Sequence, residues 1–289
     1  LVSQRSKGRL KITVYPGGSL GVKDVDMLRV LPPGNVIQAA GLYPGYVTRD
    51  VPEFAVTMPA GEIKDAKAWA KALPALAKIY NETYDRFGVK LLGYVISGDR
   101  AGHIFCKEPG ISSFAQLKGK KLRVWDKFHQ WTFTALGVSA QVIGQNDLYL
   151  AMKTGVVDCA VYTIGFANTI SLNEVAPNSA YLFPYLVQPL GIVVSKKAFD
   201  ALPPDVQKIM QEAANEVQKE TVAAYLRGEY EKRVTDKFVK AGGKVQKPFS
   251  AADQEAFQKA EHDSWVRGAK DVGNKPFINR EIILKAIGG

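Results

Sequence analysis

The stretch Leu117-Lys118-Gly119-Lys120-Lys121-Leu122-Arg123-Val124-Trp125 reads as a buried strand, and it runs at once into a helix carrying Phe128, His129 and Trp131. That places Arg123 near the carboxyl end of the strand. Open α/β sheets bind ligands just beyond the carboxyl ends of their strands. An arginine there presents two parallel donors that match a carboxylate in a fixed plane, a geometry lysine lacks. The alternation puts Arg123 on one face with Trp125, and Leu122 and Val124 on the other. An acid-binding cleft is therefore expected. The competing readings are a surface arginine in a structural ion pair, a satisfied polar His129, and Phe128 and Trp131 as plain core.

Outward from this strand, apolar runs of strand length alternate with helical patterns, the signature of βα units and a mainly parallel sheet. Residues 10–14, 35–40 and 89–96 read as strands of a first α/β unit, with helices over 23–30 and 62–87, the latter interrupted by Pro74. Small and polar residues at Ser97-Gly98-Asp99-Arg100-Ala101-Gly102 mark a hinge into a second unit, whose strands are 103–106, 121–125, 140–143 and 156–162. Within it, Asn146 is expected to cap a helix that ends at Gly155. The last third is helical. Pro203-Pro204-Asp205 suits a helix start, and the apolar stripe from Val206 to Tyr225 predicts one long helix, with a bend near Gly228.

The chain has 289 residues, 46% apolar and 23% charged, enough for two globular lobes sharing a cleft. Its net charge of +10 raises nucleic acid as a partner. However, the basic residues are spread and mixed with acids, as in Glu229-Tyr230-Glu231-Lys232-Arg233, and no reader motif occurs. Nucleic-acid binding is therefore not expected. Cys106 and Cys159 form neither a disulfide framework nor a zinc cluster; they fit a pair, or, as the favoured expectation, two separate buried thiols. The most apolar run, 180–194, is broken by Pro184, Gln188 and Pro189, whereas a spanning helix needs about 20 apolar residues. The chain is thus not expected to be membrane-embedded, and any export signal lies outside it.

Gly17-Gly18-Ser19-Leu20-Gly21 matches the nucleophile elbow G-x-S-x-G and opens a hydrolase alternative built on Ser19. No HGGG-type oxyanion loop accompanies it, and none of His103, His129 and His262 has an acid partner evident in sequence. No G-x-G-x-x-G, Walker A, H-E-x-x-H or EF-hand pattern is present, so no cofactor and no metal are expected.

Three ordered segments carry a likeness: 117–124, Leu148-Tyr149-Leu150-Ala151-Met152-Lys153-Thr154-Gly155-Val156-Val157-Asp158, and Phe199-Asp200-Ala201-Leu202-Pro203-Pro204-Asp205-Val206-Gln207. Gly8-Arg9-Leu10, Tyr15-Pro16 and Leu20-Gly21 extend it toward the start. With them the chain closely resembles the DctP-like solute-binding proteins of TRAP transporters. The resemblance implies a non-enzymatic, monomeric periplasmic protein of the two-lobed periplasmic binding protein fold. Its two α/β domains would be joined by crossing strands and a long C-terminal helix, with lobe I as 1–97 plus 188–230 and lobe II as 98–187 plus 231–289. The lobes would close about the 97/98 and 187/188 crossings over an organic acid and deliver it to a membrane permease; a sensor partner is the alternative. The family's opening strand is not seen in the chain as given.

By the same resemblance Arg123 clamps the carboxylate and Arg100, in the hinge region, supplies a second contact. Trp125 stands where the family commonly has proline, and Tyr162 where it has asparagine. Those replacements exchange hydrogen-bonding capacity for flat apolar surface. The expected ligand is an acid with an aromatic or bulky apolar body, flanked by Trp125, Tyr162, Phe128 and Phe166, with His129 beside them.

Overall fold

Backbone groups must find partners wherever they leave water, and two separate sheets meet that requirement here. The computed structural model describes residues 1–16, 19–63, 65–96, 99–184 and 189–288. Both expected crossings, 97/98 and 187/188, and the glycines Gly17 and Gly18 lie outside the described residues. In chain order the helices are α1 (Val2–Arg5), α2 (Met27–Val30), α3 (Ala66–Asp85), α4 (Phe114–Leu117), α5 (Lys127–Ala135) and α6 (Gln145–Thr154). They continue with α7 (Ile164–Thr169), α8 (Lys196–Asp200), α9 (Pro204–Arg227), α10 (Glu229–Lys240), α11 (Ala251–Val272) and α12 (Lys275–Ile287). The strands are β1 (Ala39–Leu42), β2 (Val89–Val95), β3 (Ala101–Cys106), β4 (Lys121–Val124), β5 (Ser139–Val142), β6 (Cys159–Tyr162), β7 (Asn178–Pro184), β8 (Leu190–Ser195) and β9 (Lys244–Val245).

The first lobe is built on the antiparallel sheet β1-β8-β2. Helix α3 covers it because Trp69, Leu73, Leu76, Ile79, Tyr80 and Tyr84 keep one buried stripe. The Asp65 carboxylate caps the helix by accepting from the amides of Lys67 (2.8 Å) and Ala68 (2.9 Å). Pro74 sits inside α3, where its missing amide is outweighed by burial of the surrounding stripe. Edge strand β2 would expose unpaired backbone, and α9 answers it with side chains. Gln211 donates to the Leu92 carbonyl (2.5 Å), while Gln218 and Thr221 accept from the amides of Tyr94 (3.3 Å) and Ile96 (3.2 Å).

The second lobe is the sheet β5-β4-β6-β3-β7-β9. The mainly parallel arrangement expected from sequence holds only for β4 with β5 and β6, and for β7 with β9; β3 runs antiparallel to β6 and β7. Parallel neighbours need a crossover, which α5 and α6 supply between β4, β5 and β6, and the longer excursion through the first lobe and α9–α10 supplies between β7 and β9. Strand β3 follows the passage from the first lobe and β7 precedes the return to it, so these two run opposite to each other. Register also corrects the cysteines: Cys106 on β3 faces Cys159 on β6, their Cα atoms are 4.2 Å apart, and they form a disulfide rather than two separate thiols.

Other expectations shift in detail. Residues 10–14 form no strand; Ile12 and Val14 are exposed and pair with no described strand. Helix α6 has its N-cap at Gly144, two residues before the expected Asn146, and it does end at Gly155 in the left-handed conformation (φ 80°). The long C-terminal helix is interrupted at Gly228, also left-handed (φ 68°), which separates α9 from α10. Helix α11 packs on α5 and β7 of the second lobe and on the 3-10 turn Pro52–Val56 of the first, where the Trp265 indole donates to the Val56 carbonyl (2.8 Å). Helix α12 then lies on α3, with Ile283 in the first lobe's core, so this segment departs from the expected placement of 231–289 with lobe II.

Candidate functional site

Arg123 emerges from β4 with no exposed surface. Its Nε donates to the Ile143 carbonyl (2.8 Å) and Nη1 to the Val161 carbonyl (3.2 Å). Ile143 follows β5 and Val161 lies in β6, so the guanidinium is held across the carboxyl ends of three neighbouring strands. It stands 5.0 Å from the centroid of the Tyr162 ring, within cation–π range. Phe166, at the start of α7, packs 5.7 Å behind Tyr162. The Tyr162 hydroxyl is buried and has no hydrogen-bond partner among the described residues. Burial pushes the phenol pKa of Tyr162 well up, with the Arg123 charge working against that rise.

The first lobe meets this point with two tyrosines that sequence reasoning missed. Burial raises the Tyr46 phenol pKa, partly offset by the charge of Arg123. Tyr43 packs edge-on against Tyr46 (5.2 Å) and its hydroxyl lies 3.5 Å from Asp126 Oδ2. Nothing in a single sequence marks either ring, since both sit in the 3-10 turn Pro44–Val47 or beside it.

Asp126 was also missed, although its position just before α5, three residues ahead of His129, is an N-cap pattern. It accepts from the His129 amide (2.9 Å) and contacts His129 Nδ1 (2.7 Å) through the same oxygen, Oδ1. Burial alone would raise this carboxyl; His129 and Arg123 override that and hold it below the ordinary carboxylate range. Trp125 does not share a face with Arg123 as alternation predicts. Strand β4 ends at Val124, and the indole turns into the cluster holding Leu122 and Val124, its ring centroid 4.1 Å from that of His129 with the planes tilted by 48°.

The expected site residues therefore fall into three places. Arg123, Tyr162 and Phe166 lie together. Trp125, Phe128 and His129 form a second group around Asp126, and Phe128 and His129 line a cavity of about 130 Å³ between the lobes. Arg100 stands apart at the entry to β3. Its Nε donates to Glu231 of α10 (2.7 Å), and its amide bonds the same oxygen (3.1 Å). Next to it Asp99 accepts from the amides of Ile164 (2.9 Å) and Gly165 (3.1 Å), anchoring α7. The serine of the elbow motif is exposed and follows no described strand, so the strand-to-helix setting a nucleophile needs is missing. No group of three or more metal-ligating side chains occurs among the described residues. No described helix is long and apolar enough to cross a membrane.

The profile of bacterial extracellular solute-binding protein family 7, DctP, matches residues 1–271. A solute-binding protein of Sulfitobacter sp. NAS-14.1 is 28% identical over 219 residues, covering 75% of this chain and 65% of that protein. The monocarboxylate 2-oxoacid-binding periplasmic protein of Nostoc sp. PCC 7120 is 29% identical over 289 residues, 95% of this chain and 74% of its own length. In three dimensions, a TRAP periplasmic solute-binding protein from Sulfitobacter sp. NAS-14.1 with bound β-D-galacturonate superposes with a TM-score of 0.83 at 22% identity, covering 98% of this chain and 91% of that one. Its two-lobed fold is the one described above. A match over nearly the whole sequence, on a scaffold with a buried arginine at the strand ends between two lobes, leads to one assignment: the chain belongs to the DctP family of bacterial extracellular solute-binding proteins, and is a periplasmic binding protein of the TRAP type and not an enzyme.

Proposed function

We propose that this protein captures a small organic acid with one carboxylate, clamped by Arg123 between the lobes, and hands it to the membrane permease of its transporter. The observation that carries the reading is the complete burial of Arg123 at the carboxyl ends of β4, β5 and β6, oriented by two carbonyl oxygens beside the buried hydroxyl of Tyr162. A buried guanidinium with a buried phenol beside it offers an incoming carboxylate two kinds of donor at once. The Nostoc relative, named for monocarboxylate 2-oxoacids, supports a single carboxylate.

The body of the acid is aromatic or otherwise bulky and apolar in this reading, because Tyr46, Tyr162 and Phe166 crowd the clamp with flat rings. Trp125, Phe128 and His129 act one step further along the cleft, through Asp126. Arg100, engaged by Glu231, contributes to the passage between lobes before it contributes to the ligand. Contacts formed only when the lobes are together favour the closed population.

A thermal-shift screen followed by calorimetry tests this with aliphatic monocarboxylates, 2-oxoacids, dicarboxylates and aromatic acids. Aromatic and bulky monoacids are expected to give the largest stabilisation, since a ligand raises apparent stability by mass action. Stabilisation by dicarboxylates alone sinks the single-carboxylate reading. Stabilisation by short aliphatic acids without the aromatic ones sinks the assignment of the body.

A further inference from the structure

The cavity between the lobes has a chemistry that the clamp does not use. Its walls include the rings of Tyr43, Phe128 and Phe183; its titratable groups besides Tyr43 are Asp126, His129 and Glu261, and Gln258 adds a neutral amide. Asp126 and His129 are bonded to each other, so when both are charged they cancel and Glu261, reaching in from α11, sets the sign of the site. The Glu261 carboxylate makes no hydrogen bond or salt bridge with a described residue. Asp126 also feels the charge of Arg123, which makes it the link between clamp and cavity.

We infer that this cavity receives a basic amine carried by the same ligand whose carboxylate Arg123 holds, so that the substrate class is an amino-substituted carboxylic acid. The inference rests on the clamp reading above. Aromatic faces attract an ammonium through their quadrupoles, and a carboxylate without a protein partner supplies the counter-charge. Burial, partly offset by His129 and reinforced by Asp126, pushes Glu261 up to about 7, so arrival of a cation should drive its proton off. Positive charge at one end of the cleft and negative at the other would orient such a ligand in one direction only.

The test uses two matched pairs, 4-methylbenzoate with 4-(aminomethyl)benzoate, and valerate with 5-aminovalerate, titrated by calorimetry into the intact protein and its Glu261→Gln variant at pH 7. The amine-bearing member of at least one pair is expected to bind at least tenfold tighter. Glu261→Gln should remove that gain and leave the amine-free acid unchanged. Repeating the titration in two buffers of different ionisation enthalpy should reveal proton release in the native protein and none in the variant. Equal affinity within both pairs, or a gain that survives Glu261→Gln, overturns the amine site while leaving the clamp standing. If none of the four acids binds, the clamp reading and the amine site fall together.

Discussion

Replacing Arg123 with lysine keeps the positive charge but removes the planar fork, and it separates the side chain's structural bonds from its proposed role as the ligand clamp. The native guanidinium donates to the carbonyls of Ile143 and Val161. A lysine ammonium is a point charge that cannot reproduce both directions. Losing one charge-assisted bond to a buried carbonyl lowers folding stability by about 1.5–3 kcal/mol. The ligand carboxylate would also lose one of its two donors, and a similar about 1.5–3 kcal/mol corresponds to about a 10- to 150-fold weaker Kd. Arg123→Ala goes further, about 2–5 kcal/mol of binding, or roughly 30- to 5000-fold. Urea unfolding reads the first effect, and calorimetry on the folded variants, with the best acid from the screen, reads the second. If stability falls as calculated while affinity stays within twofold, Arg123 is a strut between strands and the clamp assignment is refuted.

Removing the Cys106–Cys159 bridge by a double alanine substitution releases a loop of 53 residues' separation, for which chain entropy gives about 4 kcal/mol of lost stability. A loss below about 1 kcal/mol in urea unfolding would show that this model of the unfolded chain does not apply. His103 is buried against Ser179 and its pKa is lowered by burial to about 4. Its contribution is complete above the unfolded value near 6.5 and is lost as pH falls toward 4, up to about 3 kcal/mol. His103→Asn should therefore flatten the acid side of the stability profile, and an unchanged slope between pH 6.5 and 4 would contradict the burial argument. Glu261 has the opposite sign. Its raised pKa means that stability is highest below about 4.5 and falls as pH rises to about 7, so Glu261→Gln should gain up to about 3 kcal/mol on wild type between those values. A parallel pair of profiles would count against it. Gly228→Ala must hold a left-handed residue and displaces Arg100, whose guanidinium occupies the space a Cβ would need. A loss of about 1–2 kcal/mol is expected in urea unfolding, and a neutral result would deny that the glycine is required there.

Local rules explain which parts were legible in the sequence. Strands β2, β3 and β4, the end of α6 at Gly155 and the break at Gly228 all follow from features within a few residues, namely alternation and left-handed glycines. Residues 10–14 show the same alternation without a partner strand, and a pattern without a partner forms nothing. Trp125 failed for a related reason: alternation stops being binding once the strand stops, here at Val124. The cysteines were misjudged because a pairing across β3 and β6 depends on register, which two isolated positions do not reveal. Within the candidate site, the position of Arg123 at the carboxyl end of a strand was legible from the apolar run around it. Tyr46, Glu261 and the tie from Arg100 to Glu231 were not, because each depends on contacts between segments far apart in the chain.

The glycine at 228 has a mechanical meaning when set beside Asp99 and Arg100. Helix α9 is stitched to β2 by Gln211, Gln218 and Thr221, so it must travel with the first lobe. Just past Gly228, Glu231 grips Arg100 while Asp99 holds α7, so α10 travels with the second lobe, until α11 packs on both halves and α12 returns to the first. The chain thus changes halves at Gly228 and changes back through α11 into α12. A left-handed glycine on one side and a helix packed on both halves on the other tie the lobes at two places, so neither half can part freely from its neighbour.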